Sequence, residues 1–458
     1  MKATAGTRPI TAAAAVILYL SGSCLRGAEL DPQDALGRVL IGAPSPVAAR
    51  DQAPPAAAPQ AGSPQPAGEK PAEEPKPPVV KVGAEGFSLE SGDGGFQMRL
   101  RTLVQGDSRL FFGNDQTGTG TGLAPPSGSD DFLIRRARIE LTGKLFKQFD
   151  FRLMPDFAPA TSTLLDAWLR WTVKPSLQFM AGKVKLPVGL EREQTREFNL
   201  FNEFAYPTSL VPNRDIGFIV QGQVAKALNY YVGAFNGSSD GASLVDDTDD
   251  GKTAVARLFL TPTDGPLEGL GVGIAATDGE QQGIPSSYRT IGQQIFWQPR
   301  TGVLTDGGVS RLEPQLYYFR GPFGLMSEWV TSQQELRLGT TFAELEHEAW
   351  QVTVTWVLTG EDATYRGVKP AHNVDTKNGQ WGAWQLVARV TELDVDDDSF
   401  PIFADPASSS TKASTFGIGL HWIMNQMVRV TVDYNGTDLD GGSLEDEDVV
   451  IGRVQLRI

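Results

Sequence analysis

Cysteine and histidine are almost missing from this 458-residue chain, which has one Cys and three His. A lone cysteine, Cys24, excludes an intramolecular disulfide. His347, His372 and His421 are too scattered to supply the ligand spacing of a zinc site. No apolar run after the N-terminus is long enough for a spanning helix, and helical periodicity is nearly absent. Positive charge is outnumbered as well, with 40 Lys and Arg against 55 Asp and Glu, a net charge of -15. A chain so acidic is a poor nucleic-acid binder, because neutralising phosphates takes basic patches.

Other chemistries lack their motifs. "DDTDDG" at Asp246 has no acid at the twelfth position of a calcium loop and reads as a solvated charge run. "GLGVG" at Gly269 reads as a small-residue strand rather than a phosphate cradle. His421 would need a serine or an acid beside it to act in a barrel hydrolase, and hydrogen bonding on a polar face is the plainer role. We expect no cofactor, no metal and no enzymatic activity.

What is present begins with a leader. Lys2 and Arg8 precede the apolar "ITAAAAVILYLSG", which ends on the small residues Ser21, Gly22 and Ser23. This is the layout of an export signal. Cleavage after Ser23 or after Ala28 fits equally. Cleavage before Cys24 would allow acylation, although no Leu stands three residues before it. We take residues 1–28 as signal peptide and 29–85 as a Pro/Ala-rich periplasmic tether, typified by "QAPPAAAPQAGSPQPAGEKPAEEPKPP". Such a segment cannot bury a core and serves as a semi-rigid spacer or a cell-wall contact.

From residue 86 to 458 the texture is constant: short period-two segments between loops rich in Gly, Asp, Ser and Pro. Trp350, Val352, Val354, Trp356 and Leu358 alternate with Gln351, Thr353, Thr355 and Val357. Phe416, Ile418, Leu420 and Trp422 alternate with Thr415, Gly417, Gly419 and His421. Seventeen such segments start near Phe96, Asp131, Gln148, Leu164, Leu177, Asp215, Asn229, Thr253, Gly269, Ile291, Arg311, Leu325, Trp350, Gly382, Thr415, Met427 and Val449. A closed bacterial barrel takes an even number, which leaves 16 or 18. Tight turns ("MNQM", "GPFG") contrast with long acidic loops (Asn236 to Gly251, Asp394 to Thr411), as at the two rims of a membrane barrel.

Alternation alone cannot tell a soluble sheet from a membrane barrel. Aromatics at the ends of the apolar faces (Trp350, Trp356, Trp422, Tyr434) favour the barrel. So do arginines on the polar faces, among them Arg136, Arg138, Arg152 and Arg170, set against fewer acids there: Glu140, Asp150, Asp166, Asp215 and Asp433. The expected molecule is acidic in its loops and basic in its lumen. In "DFLIRRARIELTG", Leu133, Ala137, Ile139 and Leu141 take the lipid side, and Arg136 and Arg138 the pore wall. Arg135 falls on the apolar parity, which calls for snorkelling at a rim or for a bulge.

Several pieces, in order, carry a family resemblance: "RRARIELTG", "GKVKLPVGLE", "LVPNRDIG", "GAFNG", "GPFGLMSEWV", "VLTGEDATYRGVKP", "GAWQLVARV" and "HWIMNQMVRVTVDY". They cover nearly everything from Phe96 onward, and the chain resembles the phosphate-selective porins O and P of the bacterial outer membrane. The resemblance implies an all-β, transmembrane antiparallel barrel of 16 strands, a homotrimer, and one long loop folded into each pore. That loop is expected at Leu186 to Arg214. With it come Lys183 and Lys185, then Arg192, Arg196 and Arg214, as an anion path joining the wall arginines. Arg135 and Arg136 match the pair in the family's "RRAR" element, and Lys185 and Glu191 match its "K-P-x-G-L-E" segment approximately. Three positions depart from the pattern: Phe204 follows Glu203 where the family often has Arg, Gln385 replaces Glu, and Ile458 stands where an aromatic is usual.

The implied function is passive diffusion of small, phosphate-like anions across the outer membrane, among lipid and lipopolysaccharide. A structural outer-membrane anchor or a non-selective porin with a cell-wall-facing tether is the alternative.

Overall fold

The computed structural model describes residues 77–112, 128–158, 162–243, 247 and 249–458. The expected signal peptide and all of the expected tether before residue 77 lie outside these residues. Among the described residues no helix is long and apolar enough to cross a membrane.

Two short strands come first, β1 (Val79–Gly83) and β2 (Gly86–Glu90), paired as a hairpin. The stretch expected to end the tether is therefore partly strand. The wall then begins with β3 (Phe96–Phe112), β4 (Asp131–Leu145), β5 (Phe149–Asp156) and β6 (Thr163–Lys174). It continues with β7 (Leu177–Lys185), β8 (Arg214–Val224), β9 (Leu228–Phe235), β10 (Thr253–Leu260) and β11 (Leu270–Gly283). A separate pair, β12 (Tyr288–Arg289) and β13 (Ile295–Trp297), sits in the next connection. The wall resumes with β14 (Val303–Arg320), β15 (Phe323–Leu338), β16 (Thr341–Val357) and β17 (Ala383–Asp394). It ends with β18 (Lys412–Ile423), β19 (Val428–Asp440) and β20 (Glu447–Arg457).

Each wall strand pairs antiparallel with the next, and β20 closes onto β3, giving a 16-stranded barrel. Sixteen of the seventeen expected strands are in this wall. The exception starts at Ile291, where Phe296 and Trp297 are buried among loops in the short β12–β13 pair. Its apolar residues pack inward on the lumen rather than outward on lipid, a distinction that period-two counting cannot make.

The two faces follow the expected parity. On β16, Val352, Val354 and Trp356 are exposed and Gln351, Thr353 and Thr355 are buried. The apolar band on that strand starts at Trp350, just past the outward Glu344, Glu346 and Glu348. Near the short-turn rim, stacked outward aromatics form a ribbon: Phe149 on Trp171 (6.3 Å), Trp171 on Phe179 (5.7 Å) and Phe179 on Phe218 (6.1 Å). Amphipathic rings of this kind mark the lipid–water boundary. The rim asymmetry has two exceptions: residues 358–382 make a long connection at the short-turn rim, and Gly339–Thr340 a tight turn at the other.

The strand β4 carries a bulge. Arg136 pairs with Gln105 while Ile134 pairs with Gly106, so Arg135 is the additional residue. Both arginines turn inward. This resolves the parity conflict by a bulge and corrects one assignment: Leu133 stands opposite the buried Asp107, whereas Phe132 (85% exposed) and Ile134 face lipid.

Candidate constriction and anion path

Residues 186–213, between β7 and β8, fold into the barrel, where Leu186, Leu190, Tyr206 and Leu210 are all buried. Gly189, at φ +81°, admits a sharp turn into the single-turn helix α1 (Leu190–Glu193). The free amides at the start of α1 meet carboxylates from the far wall. Glu313 on β14 accepts from Gly189 N (2.6 Å) and Leu190 N (3.0 Å), and Glu328 on β15 accepts from Leu190 N (2.5 Å). Anions are favoured at such an end because the first amides lack helical partners. At the other end, Lys185 Nζ donates to the carbonyls of Arg192 (2.7 Å) and Gln194 (3.3 Å). Further along, the Asn202 side chain donates to Ile451 O (2.9 Å), and the Tyr206 hydroxyl bonds Thr415 (2.8 Å). The loop is thus fastened across the full width of the lumen.

Four cavities line up beside it. A vestibule of about 510 Å³ opens towards the long loops, bounded by Asp240, Ser286 and Arg289. A chamber of about 300 Å³ lies next to it. Arg192, Arg196, Phe204 and Asn213 border both spaces and form the junction between them. Past the chamber, spaces of about 1090 Å³ and 760 Å³ reach the short-turn rim.

The chamber is lined by nine basic side chains and four carboxylates. Most of the basic groups are already engaged. Arg138 pairs with Asp156 (2.7 Å), Arg152 with Glu140 (3.1 Å) and Asp166 (3.3 Å), Arg170 with Asp150 (3.1 Å), and Arg214 with Asp166 (2.8 Å). Arg192, Arg196 and Lys185 differ: among the described residues none has a carboxylate within ion-pair distance. Arg192 donates to Thr208 O, and its guanidinium lies 5.3 Å from the centre of the Phe204 ring, on which Arg196 also packs. The Arg192 Nε and Arg196 Nη1 atoms are buried without a hydrogen-bond partner. Burial first, then the Arg214 charge, lowers the Arg192 guanidinium to about 10, still cationic at neutral pH. Burial, with Arg136 and Arg138 adding to it, pushes Arg196 well below the ordinary arginine value. An arriving anion relieves that crowding.

Of the residues expected from sequence, the fold gathers Arg138, Arg152, Arg170, Lys185, Arg192, Arg196 and Arg214 around one chamber. Arg136 faces inward but bonds Gln105 Oε1 (2.8 Å) and does not border the chamber. Lys183 is buried but is not on the chamber wall either; its register partners are Ala167 and Ile216. The expectation of few lumen acids needs correction. Asp107, Asp156, Glu313, Glu328 and Glu447 are also buried on strands, and Glu191 and Glu203 in the loop. Glu203 gathers Arg135 (2.6 Å), Arg109 (3.5 Å) and Arg453 (3.7 Å). His421 lies by Gln385 (3.2 Å) and Arg429 (2.8 Å), which are hydrogen-bonding neighbours rather than a nucleophile.

The profile of the family described as "Phosphate-selective porin O and P" matches residues 126–458. This chain belongs to that family. Porin O of Pseudomonas aeruginosa is 26% identical over 167 residues, which cover 35% of this chain and 36% of that protein. The matched region thus spans about a third of the relative. Among solved structures, the outer membrane channel DcaP of Acinetobacter baumannii aligns over 81% of this porin and 99% of its own chain (TM-score 0.53, 12% identity). OmpF of Salmonella typhi, solved with daunomycin, aligns over 80% and 98% (TM-score 0.52, 10% identity). The trimer form of OmpT of Vibrio cholerae aligns over 80% and 100% (TM-score 0.51, 10% identity). The likenesses to solved structures support the barrel fold, and membership of the porin family supports its place in the outer membrane.

Proposed function

We propose that this porin is a passive outer-membrane pore that favours small anions, phosphate-like ones included, over cations, and that it works as a homotrimer. The observation that carries the reading is the pair Arg192 and Arg196 at the junction, two guanidinium groups with no carboxylate within ion-pair distance among the described residues. Cationic groups in a narrow, partly dehydrated passage lower the barrier for anions and raise it for cations. Guanidinium forks bond oxyanions in pairs. The remaining arginines are mostly neutralised by neighbours, so the passage offers weak successive contacts rather than a trap, as permeation requires. The same neutralisation favours a second reading, a general porin with little ion preference.

Recording in planar bilayers across a potassium chloride gradient separates the two. The reading expects discrete conductance with an anion-biased reversal potential, reduced in the Arg192→Ala, Arg196→Ala double variant. A reversal potential near zero in the parent chain supports the general porin. A cation bias would sink the anion reading.

A further inference from the structure

Lumen positions of a porin are polar, but in this barrel apolar side chains also turn inward, mostly where they pack in clusters such as those around Val330 and Leu345. The chamber has an apolar side of its own. Across β5 to β8 its wall includes Met154, Leu165, Met180, Val184 and Ile219, all buried, with Phe204 contributed by the loop. Part of this apolar surface has a packing role, since Met180, Val184 and Ile219 belong to the same buried cluster as Leu186 and Val188 of the loop. Met154 and Leu165 join no such cluster, yet both are more than nine-tenths buried and border the chamber. Hydrated inorganic anions gain nothing from these side chains.

Arg192 and Arg196 border the same space and both lie on the Phe204 ring, and their Nε and Nη1 atoms, respectively, are buried donors without partners among the described residues. The chamber volume, about 300 Å³, is at the small end of organic-ligand sites, which pair apolar walls with a few converging polar groups. Resting on the anion-pore reading, we propose that this chamber binds an organic carboxylate with an apolar, ring-sized body in preference to inorganic phosphate or acetate. The carboxylate takes the free donors of Arg192 and Arg196, and the body lies against Phe204, Met154 and Leu165. Residence stays brief, because the two donors are the only strong attachments the ligand needs to break.

Benzoate, acetate and phosphate are added separately to the purified porin in a planar bilayer carrying chloride current, and the half-blocking concentration of each is measured. Benzoate is expected to block at a concentration about tenfold below acetate, the discrimination that one or two buried methylenes carry. In Leu165→Thr and in Met154→Gln the benzoate-to-acetate ratio is expected to fall towards unity. Block by benzoate that is no stronger than block by acetate or by phosphate in the parent chain overturns the proposal, and so does a benzoate-to-acetate ratio that neither variant changes. If either variant fails to insert, the parent-chain comparison decides alone. A parent channel without anion bias in the chloride gradient overturns the underlying pore reading instead, so the two failures are distinguishable.

Discussion

At the scale of single residues, charge and free charge are different quantities. Arg138 and Arg196 are both lumen arginines, but Asp156 already holds the first. Arg138→Ala leaves Asp156 without its cation, although the Ala137 and Ala158 amides still donate to it. It should lower stability by about 1–3 kcal/mol, read as lower resistance to urea, while moving the reversal potential little. Arg196→Ala should do the reverse, losing selectivity at a stability cost of about 1 kcal/mol from the ring contact. Equal selectivity loss in the two variants would refute this division. Glu203 supplies a pH test. Burial raises its pKa, but Arg135, Arg136 and Arg453 outweigh burial and hold it well below the ordinary value of 4.5. A depressed carboxyl gives stabilisation that is present above the unfolded value and is lost only as pH falls through the lower folded one. Conductance should therefore show no Glu203-dependent step on acidification to about pH 4. A step near there that disappears in Glu203→Gln would contradict the pairing.

Among elements, the in-folded loop governs the passage, and its attachment to the opposite wall is a matter of few bonds. Glu313→Ala with Glu328→Ala removes the carboxylates that hold the amides of Gly189 and Leu190. The expected result is a larger and noisier single-channel conductance with the barrel still closed; an unchanged trace would show that the remaining bonds suffice. The loop's existence was implied by the family resemblance, and its place was legible because a long gap with charges, 28 residues in the structure, separates two regular strands. Its partners were not. Glu313 lies 124 residues from the Gly189 amide it accepts from, and Asp107 lies 346 from Arg453. No local pattern marks such pairs, since only barrel closure brings them together. The same limit explains why the lumen looked more basic in sequence than it is. Arginine is conspicuous on an alternating face, whereas Asp156 ends its strand and Asp107 stands in "QGDSR", and both resemble turn residues.

For the whole molecule, the architecture was readable because a lipid face and a lumen face impose a period of two on the wall strands, as from Phe416 to Trp422. The girdle aromatics and lumen arginines separate that pattern from a soluble sheet. The Ile291 segment failed for the complementary reason: loops that fill the mouth are apolar too. The charge arrangement predicts a salt response. Acidic loops and a basic junction act on a passing ion over different distances, and the Debye length shrinks from about 10 Å at 0.1 M to about 3 Å at 1 M. The distant loops are screened out first, so anion preference should persist, per unit of conductance, as salt rises through the lower part of this range. A preference that collapses at once would place its source in exposed charges instead. The bulge at Arg135 has a further meaning in evolutionary terms. Removing that one residue would leave Ile134 outward and Arg136 inward in an unbroken ladder. A porin lineage can therefore add or delete a lumen charge at this point while the surface that lipid selects stays as it was.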